Sequence, residues 1–598
     1  MRLSVMRPLL GLLLCLPLLA QMPVRDSRNT IINNTDTHFT PRVYKTLAEW
    51  EARRAYLRKQ ILSAAGLLPM PAKTDLHPQI FGRIENRDYS IEKVLIETLP
   101  GYYLGGNLYR PLKPTPAGGF PAVVSAHGHW NYGRLEHTTI ASIPARAINL
   151  ARQGYVVFAY DQVGYNDTIQ TPHDFGGLKE DLWAFNPLTL QFWNGIRAVD
   201  FVESLPGVNR NMVGATGASG GATQTFLLAA VDDRIQFSAP ANMISAIMQG
   251  GAECENAPNL RVDTFNVEIG AMMAPRPMLM VSATGDWTKN TPTEEFPAIR
   301  AIYALYDKAA NVETLHLDAP HNYNQQNREA MYRFFGKHVL GDGDAAHFKE
   351  RPIRLEKLQD MLALHNRTLP AGALTFDGLW AEWVQRAKSQ VNVISDRDTL
   401  REMLSFSLLC EWPAEVLNRA AERGPIEGKE ADGVKVMLSR LGKGDRVPGI
   451  WIQGKGPAAL VVDPDGAAAA RTSPEVAQLL AAGRPVLMID AFQTGAAVAP
   501  RDRSGKFFTT FNKTDDANRV QDILTALAWI KTPNTDLVGI GKAAVWCLFA
   551  AAVAPQSVPL KADLGSFSGS DQDYLDRFFV PGIQRAGGLR AARLLAGR

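Results

Sequence analysis

A serine, an aspartate and a histidine, met in that order along 598 residues, have the types and settings for acyl transfer. Ser219 stands in Gly217-Ala218-Ser219-Gly220-Gly221, between the apolar stretch Met212 to Ala215 and the helix-suited run Phe226 to Val231. A serine at the tip of a sharp strand-to-helix turn exposes its Oγ only when its neighbours carry little side chain. A glycine-rich turn without chemistry is the plain alternative, and the strand and helix on either side favour a nucleophile. Asp286 closes the run Met278 to Thr284 in Gly285-Asp286-Trp287, and His321 closes Leu315 to Pro320. Alone, the aspartate would be a turn residue and the histidine a solvated one. Together they predict a nucleophile, an orienting acid and a general base. The N–H of Gly220, at a helix start, and the backbone of His129, in His127-Gly128-His129-Trp130, are the expected oxyanion-hole donors. The side chain of His127 is expected to bond locally.

These residues need elements that bring them to one edge. Short apolar runs at Pro121–Trp130, Tyr155–Gly164, around Met212, and before Asp286 and His321 alternate with helical stretches such as Pro187–Leu205. Such alternation predicts an α/β fold, a doubly wound and mostly parallel sheet covered on both faces. Ligands bind at the carboxyl ends of such strands, where Ser219, Asp286 and His321 should converge. Pro172–Trp193 and Met248–Arg261 follow strand ends and are expected to form a cap. Trp130, Tyr165, Trp183 and Trp287 are candidate substrate contacts, set against ordinary packing. Arg134, Arg261 and Glu255 would bind polar groups or pair with each other, and Cys254 is read as structural.

The elbow GASGG, the loop HGHW, and the segments SATGDW and DAPHNY together resemble bacterial exported α/β-hydrolases of the acetylxylan esterase or prolyl-oligopeptidase-like type. The resemblance covers roughly residues 41–340 and implies a serine esterase, with no metal or organic cofactor, acting on acyl groups, often acetyl esters of plant polysaccharides. Ser, Asp, His is also the chain order of that fold's triad.

The second half repeats the first. Segments beginning at Leu400, Pro457 and Gly483 match those at Leu57, Pro121 and Gly154, and Asp536–Val553 overlies the elbow. This predicts tandem α/β-hydrolase units, the second degenerate and truncated: a catalytic domain at 41–343, a linker at 344–374 and a non-catalytic domain at 375–598. In that overlay Ala543 stands where Ser219 stands in the first unit, and Asp465-Gly466 replaces His127-Gly128.

Charged residues at 21%, hydrophobic residues at 46% and a net charge of +3 describe an ordinary globular chain. Scattered basic residues argue against a nucleic-acid partner. The four cysteines show neither disulfide nor zinc spacing. Arg2 and Arg7 before an apolar run ending at Ala20 predict a signal peptide over 1–20, too short for a stable membrane span, then a polar tether over 21–40. The expected protein is a periplasmic or secreted esterase acting on small-molecule or polysaccharide esters. A peptidase of the prolyl-oligopeptidase kind and a non-catalytic carbohydrate-binding protein are the alternatives. Oligomeric state is left open.

Overall fold

The computed structural model describes residues 25–418, 433–532 and 534–597. The expected signal peptide lies outside them, as do the first four residues of the expected tether. The first unit holds a nine-stranded sheet: β1 (Gln79–Glu85), β2 (Tyr89–Leu99), β3 (Tyr102–Pro111), β4 (Phe120–Ser125), β5 (Val156–Tyr160), β6 (Val208–Ala218), β7 (Ile235–Ala241), β8 (Met278–Gly285) and β9 (Val312–Pro320). Their order across the sheet is β1-β2-β3-β5-β4-β6-β7-β8-β9, antiparallel as far as β5 and parallel beyond it. Strand β4 is buried along its whole length, which is why it reads as an unbroken apolar run rather than an alternating one. Helices cover both faces. Pro187–Ser204 is one, begun by Asn186 capping Thr189 N–H with Pro187 in its first turn.

The second unit holds seven strands: β10 (Val416–Asn418), β11 (Val434–Arg440), β12 (Val447–Ile452), β13 (Ala459–Val462), β14 (Val486–Ile489), β15 (Asp536–Gly539) and β16 (Leu560–Ala562). Their order, β10-β11-β12-β14-β13-β15-β16, reproduces the first seven positions of the larger sheet. The chain is thus a tandem of α/β-hydrolase sheets. Among the described residues, no strand of the second sheet takes the places of β8 and β9.

The two units share one core. A single cluster of buried apolar side chains includes Leu182, Trp183 and Phe226 from the first, with Trp383, Leu404 and Trp546 from the C-terminal half. The helices Leu47–Ala64 and Arg397–Leu408, matched by the repeat, meet directly: Tyr56 and Phe406 lie 5.1 Å apart, and Lys59 pairs with Glu402. The segments outside the sheets are also laid down on them. From Arg25 to Thr40 the expected tether is packed: Arg28 pairs with Asp522 at 2.6 Å, and Phe39 stacks on Phe265 at 5.2 Å. Its arginine and phenylalanine have carboxylate and aromatic partners on both units, which a polar composition alone does not reveal. The joining stretch 344–374 is tied down likewise, with Ala363 and Leu364 N–H donating to Asp167 and Leu374 N–H to Gly101 O. No helix of the described residues is long and apolar enough to cross a membrane.

Candidate active site

Ser219 sits between β6 and the helix Gly220–Val231 with φ 55° and ψ −125°, a conformation that non-glycine residues rarely adopt. The flanking glycines are required by contact. A Cβ on Gly217 would lie 2.3 Å from Gly221 O, and one on Gly221 would lie 2.5 Å from His127 O. The turn is therefore drawn tight against the His127–Trp130 loop, and the serine is held at its tip. Gly220 N–H, first in its helix, has no acceptor within the helix and is free to meet an oxyanion.

Asp286 and His321 follow the adjacent parallel strands β8 and β9 and come together. His321 Nδ1 donates to Asp286 Oδ2 at 2.8 Å, which leaves Nε2 as the proton acceptor. That Nε2 is buried and has no hydrogen-bond partner. Ser219 Oγ is thus not in hydrogen-bonding geometry with it here. Contacts run from the serine to the histidine through one loop: a Cβ on Gly128 would lie 3.1 Å from Ser219 Cβ and 2.9 Å from Trp130 Nε1, and Trp130 stacks on His321 at 6.4 Å. Trp287 packs on the ring at 4.5 Å. Of the four aromatic candidates, these two flank His321.

Asp286 is better braced than the sequence suggested. Asp286 Oδ2 also accepts from Asn242 Nδ2 at 2.9 Å, and Oδ1 accepts from Thr288 N–H at 2.7 Å and its hydroxyl at 2.5 Å. Burial pushes this carboxyl up, but the hydrogen bonds from His321, Thr288 and Asn242 outweigh it and hold the group below the ordinary aspartate range. Asn242, at φ 59° just past β7, was not singled out in the sequence. The available signal was a polar side chain one residue beyond the strand beside Asp286.

The loop His127–Trp130 has further structure. His127 is fully buried, with Nδ1 on Gly128 O at 2.7 Å and Nε2 accepting Gln162 N–H at 2.9 Å, and burial lowers it to about 3. It is a neutral brace. The imidazole of His129 lies over the start of the elbow helix, where a Cβ on Gly220 would come 2.5 Å from its Cε1. Its Nε2 is 3.1 Å from Cys254 Sγ, and His173 packs edge-on at 5.0 Å. Burial lowers His129 from its usual value and pushes the Cys254 thiol well up, so both are neutral near pH 7.

Other candidates belong elsewhere. Trp183 is buried between the units, its Nε1 on Asp571 at 2.9 Å and its carbonyl accepting from Trp383 Nε1 at 3.0 Å. It is packing, not a wall of the cleft. Tyr165 sets its ring against His127 and His173. Arg134 is buried against Asp161 and Asp167, and Arg261 donates to the Glu255 carbonyl and Asn266. These arginines staple loops, and the Glu255 carboxylate is taken by Thr223, Gly251 and Ala252. The loop Met248–Arg261 is gripped by the second unit: Asn259 and Arg261 N–H donate to Thr509 O and Thr510 O, and Thr510 Oγ1 donates to Asn256 O.

In the second unit the pairing register corrects the sequence overlay. Ala458↔Ala122 and Val462↔Ala126 follow from the paired strands, and Gly539 then falls on Gly217. The residue matching Ser219 is Gly541, at φ 51°, while Ala543 is already the first residue of the helix Ala543–Val553. By the same register Asp463 falls on His127.

No protein-family model matches the chain. YtaP of Bacillus subtilis (strain 168), which carries the name of a hydrolase, is 26% identical over 277 residues, or 42% of this chain and 88% of its own. Among solved structures, methylesterase BT1017 is 29% identical at a TM-score of 0.50, spanning 59% of this chain and 78% of that one. An acetyl xylan esterase from Paenibacillus sp. R4 is 18% identical at a TM-score of 0.33, over 51% of this chain and 98% of its own. A glucuronoyl esterase from Solibacter usitatus is 13% identical at 0.37, over 52% and 99%.

Proposed function

We propose that the protein is an exported serine esterase that cleaves carboxylic esters of carbohydrates, acetyl esters foremost, through Ser219, His321 and Asp286. The carrying observation is the held pair His321–Asp286 at 2.8 Å, its buried imidazole Nε2 without a partner, and a serine at φ 55° on the elbow that the Gly128–Trp130 loop links to the same ring. In this reading His321 Nε2 takes the hydroxyl proton as Ser219 Oγ attacks the ester carbonyl, and Asp286 stabilises the imidazolium. The N–H groups of Gly220 and His129 receive the developing oxyanion. Collapse expels the alcohol with the proton from His321; water, activated by the same imidazole, then releases the acid and restores the serine. Trp130 and Trp287 border the base and limit how bulky a group can sit there. The second unit takes no part in the chemistry. It braces the loop Met248–Arg261, and residues 1–20 serve as the export leader.

A second reading has its own support. The solved structure at 29% identity is a methylesterase, which favours a small alcohol rather than a small acyl group. The two readings differ in product. The test is the full-length protein incubated with acetylated xylan and with a methyl-esterified polyuronate, with acetate and methanol measured and Ser219→Ala as control. Acetate release lost in the variant supports the first reading, methanol release lost in the variant the second. Release of neither, or release undiminished in Ser219→Ala, overturns the esterase assignment.

A further inference from the structure

Behind the oxyanion loop the fold gathers three soft ligands from distant parts of the chain. His129 comes from the loop after β4, His173 from the segment after β5, and Cys254 from a short turn at Glu253–Glu255. One ligand atom from each lies within 4.8 Å of the others. His129 Nε2 and Cys254 Sγ are already 3.1 Å apart. The third ligand is oriented. His173 Nδ1 lies 2.7 Å from Val163 O, to which it donates its proton, so the lone pair is on Nε2. That Nε2 is buried and has no hydrogen-bond partner. A hydrogen bond between His129 and the thiol explains two of the three groups and leaves His173 with a desolvated, unpartnered lone pair, which is unfavourable. A metal ion satisfies all three.

The surroundings are those of a built site. Cys254 is fully buried. Its turn is fixed by Gln224 Nε2 on Cys254 O at 3.3 Å and Thr223 Oγ1 on Glu255 at 2.8 Å. His173 is pressed on Gly164, where a Cβ would come 2.4 Å from His173 N. A bonded carbonyl behind a ligating imidazole is the usual arrangement that fixes its tautomer. Neighbouring carboxylates are occupied: Glu255 by Thr223 and two backbone N–H groups, Glu253 by Lys506 at 3.3 Å. The ligand set is therefore two nitrogens and a sulfur, which selects thiophilic, imidazole-binding ions over hard ones such as magnesium or calcium.

We propose that His129 Nε2, His173 Nε2 and Cys254 Sγ bind a thiophilic transition-metal ion, zinc in the first place, in the wall of the cleft beside Gly220. Binding replaces the thiol proton, which leaves to water as the metal–thiolate bond forms. Three protein ligands leave one tetrahedral position open. The ion is distinct from the triad, and the inference does not depend on which ester is cleaved. Its structural effect is to pin the ring of His129, and with it the loop whose backbone faces Ser219.

The test uses full-length protein stripped with a chelator and titrated with Zn²⁺ in competition with a chromophoric chelator. One ion per chain is expected, with affinity falling at least about 100-fold in Cys254→Ser and in His173→Ala. Cobalt(II) in place of zinc should give the sulfur-to-cobalt charge-transfer absorbance of a thiolate ligand, lost in Cys254→Ser. Stripped wild-type protein that binds zinc no more tightly than the two variants overturns the site. So does a charge-transfer band that survives Cys254→Ser, since the sulfur would then belong to another cysteine. Should either variant fail to fold, as judged by its circular dichroism, the stoichiometry and cobalt spectrum of the wild type decide alone: no band, no site.

Discussion

The two elbows of this molecule share a backbone and differ in what it carries. In the first, β6 turns into its helix through Ser219 at φ 55°; in the second, β15 turns through Gly541 at φ 51°. Each is preceded two residues earlier by a glycine pressed against the following helix, Gly217 on Gly221 and Gly539 on Ala544. A left-handed residue between strand and helix is thus part of the architecture, with or without a catalyst on it. At Gly541 the conformation is free of side-chain strain, whereas at Ser219 it is costly and is held by the packed loop around it. Strain retained only where a hydroxyl stands is what a nucleophile site would show.

Five experiments bear on this contrast. Ser219→Ala should lower ester turnover by about 10⁶-fold. Adding Gly541→Ser to that variant should restore nothing, because among the described residues no strand of the second sheet stands where β8 and β9 carry Asp286 and His321; ester hydrolysis by the double variant would make the second elbow a live site. Asp286→Asn should cost about 10⁴-fold in kcat by upsetting the imidazole tautomer, with unaltered melting as the control. Trp383→Ala, which removes a buried ring bonded to the Trp183 carbonyl, should destabilise by about 3–5 kcal/mol. Denaturant unfolding of that variant should still be one transition; two separated transitions would mean that the units do not share a core. Asn242→Ala should lower kcat/KM by about 10- to 100-fold through loss of a hydrogen bond to the Asp286 carboxylate. An unchanged value would remove Asn242 from the acid's support.

The smallest effect is in pH. Because the folded Asp286 carboxyl is held below its usual value, it stays ionised, and adds to stability, above the ordinary carboxylate range. That contribution is lost only as pH falls through the lower folded value. The acid limb of kcat/KM should therefore show one protonation, with slope one, down to about pH 4. A second inflection at about pH 4 would place the carboxyl at the ordinary aspartate value.

Ser219, Asp286 and His321 stood out as candidates because each is tied to a local pattern: a small-residue turn, or a polar residue closing an apolar run. What was not legible depended on distance across the fold. Trp183 stands in an aromatic-rich stretch, and composition cannot tell a cleft wall from a buried seam between units; its partners, Asp571 and Trp383, lie hundreds of residues away. Asn242 looked like a strand end because its role comes from β8 lying beside β7. His129, His173 and Cys254 have no motif spacing, since three loops and not one segment bring them together. The repeat was plain in order but off by two at its elbow, because matching residue sizes favoured Ala543 while the pairing register selects Gly541.

The belt formed by Arg25 to Thr40 also bears on the time course of folding. Arg28 pairs with Asp522, and Ser27 N–H donates to Gly444 O. The first described residues therefore gain their partners only after more than four hundred others have been made. Closing so long a loop adds little to the equilibrium cost, since that cost grows only with the logarithm of length. It does allow the first sheet to form while Arg28 still lacks Asp522, with only the Phe39 end of the segment already seated on the first unit. A chain trimmed ahead of Thr40 should therefore refold its first sheet at an unchanged rate and lose its grip chiefly by unfolding faster.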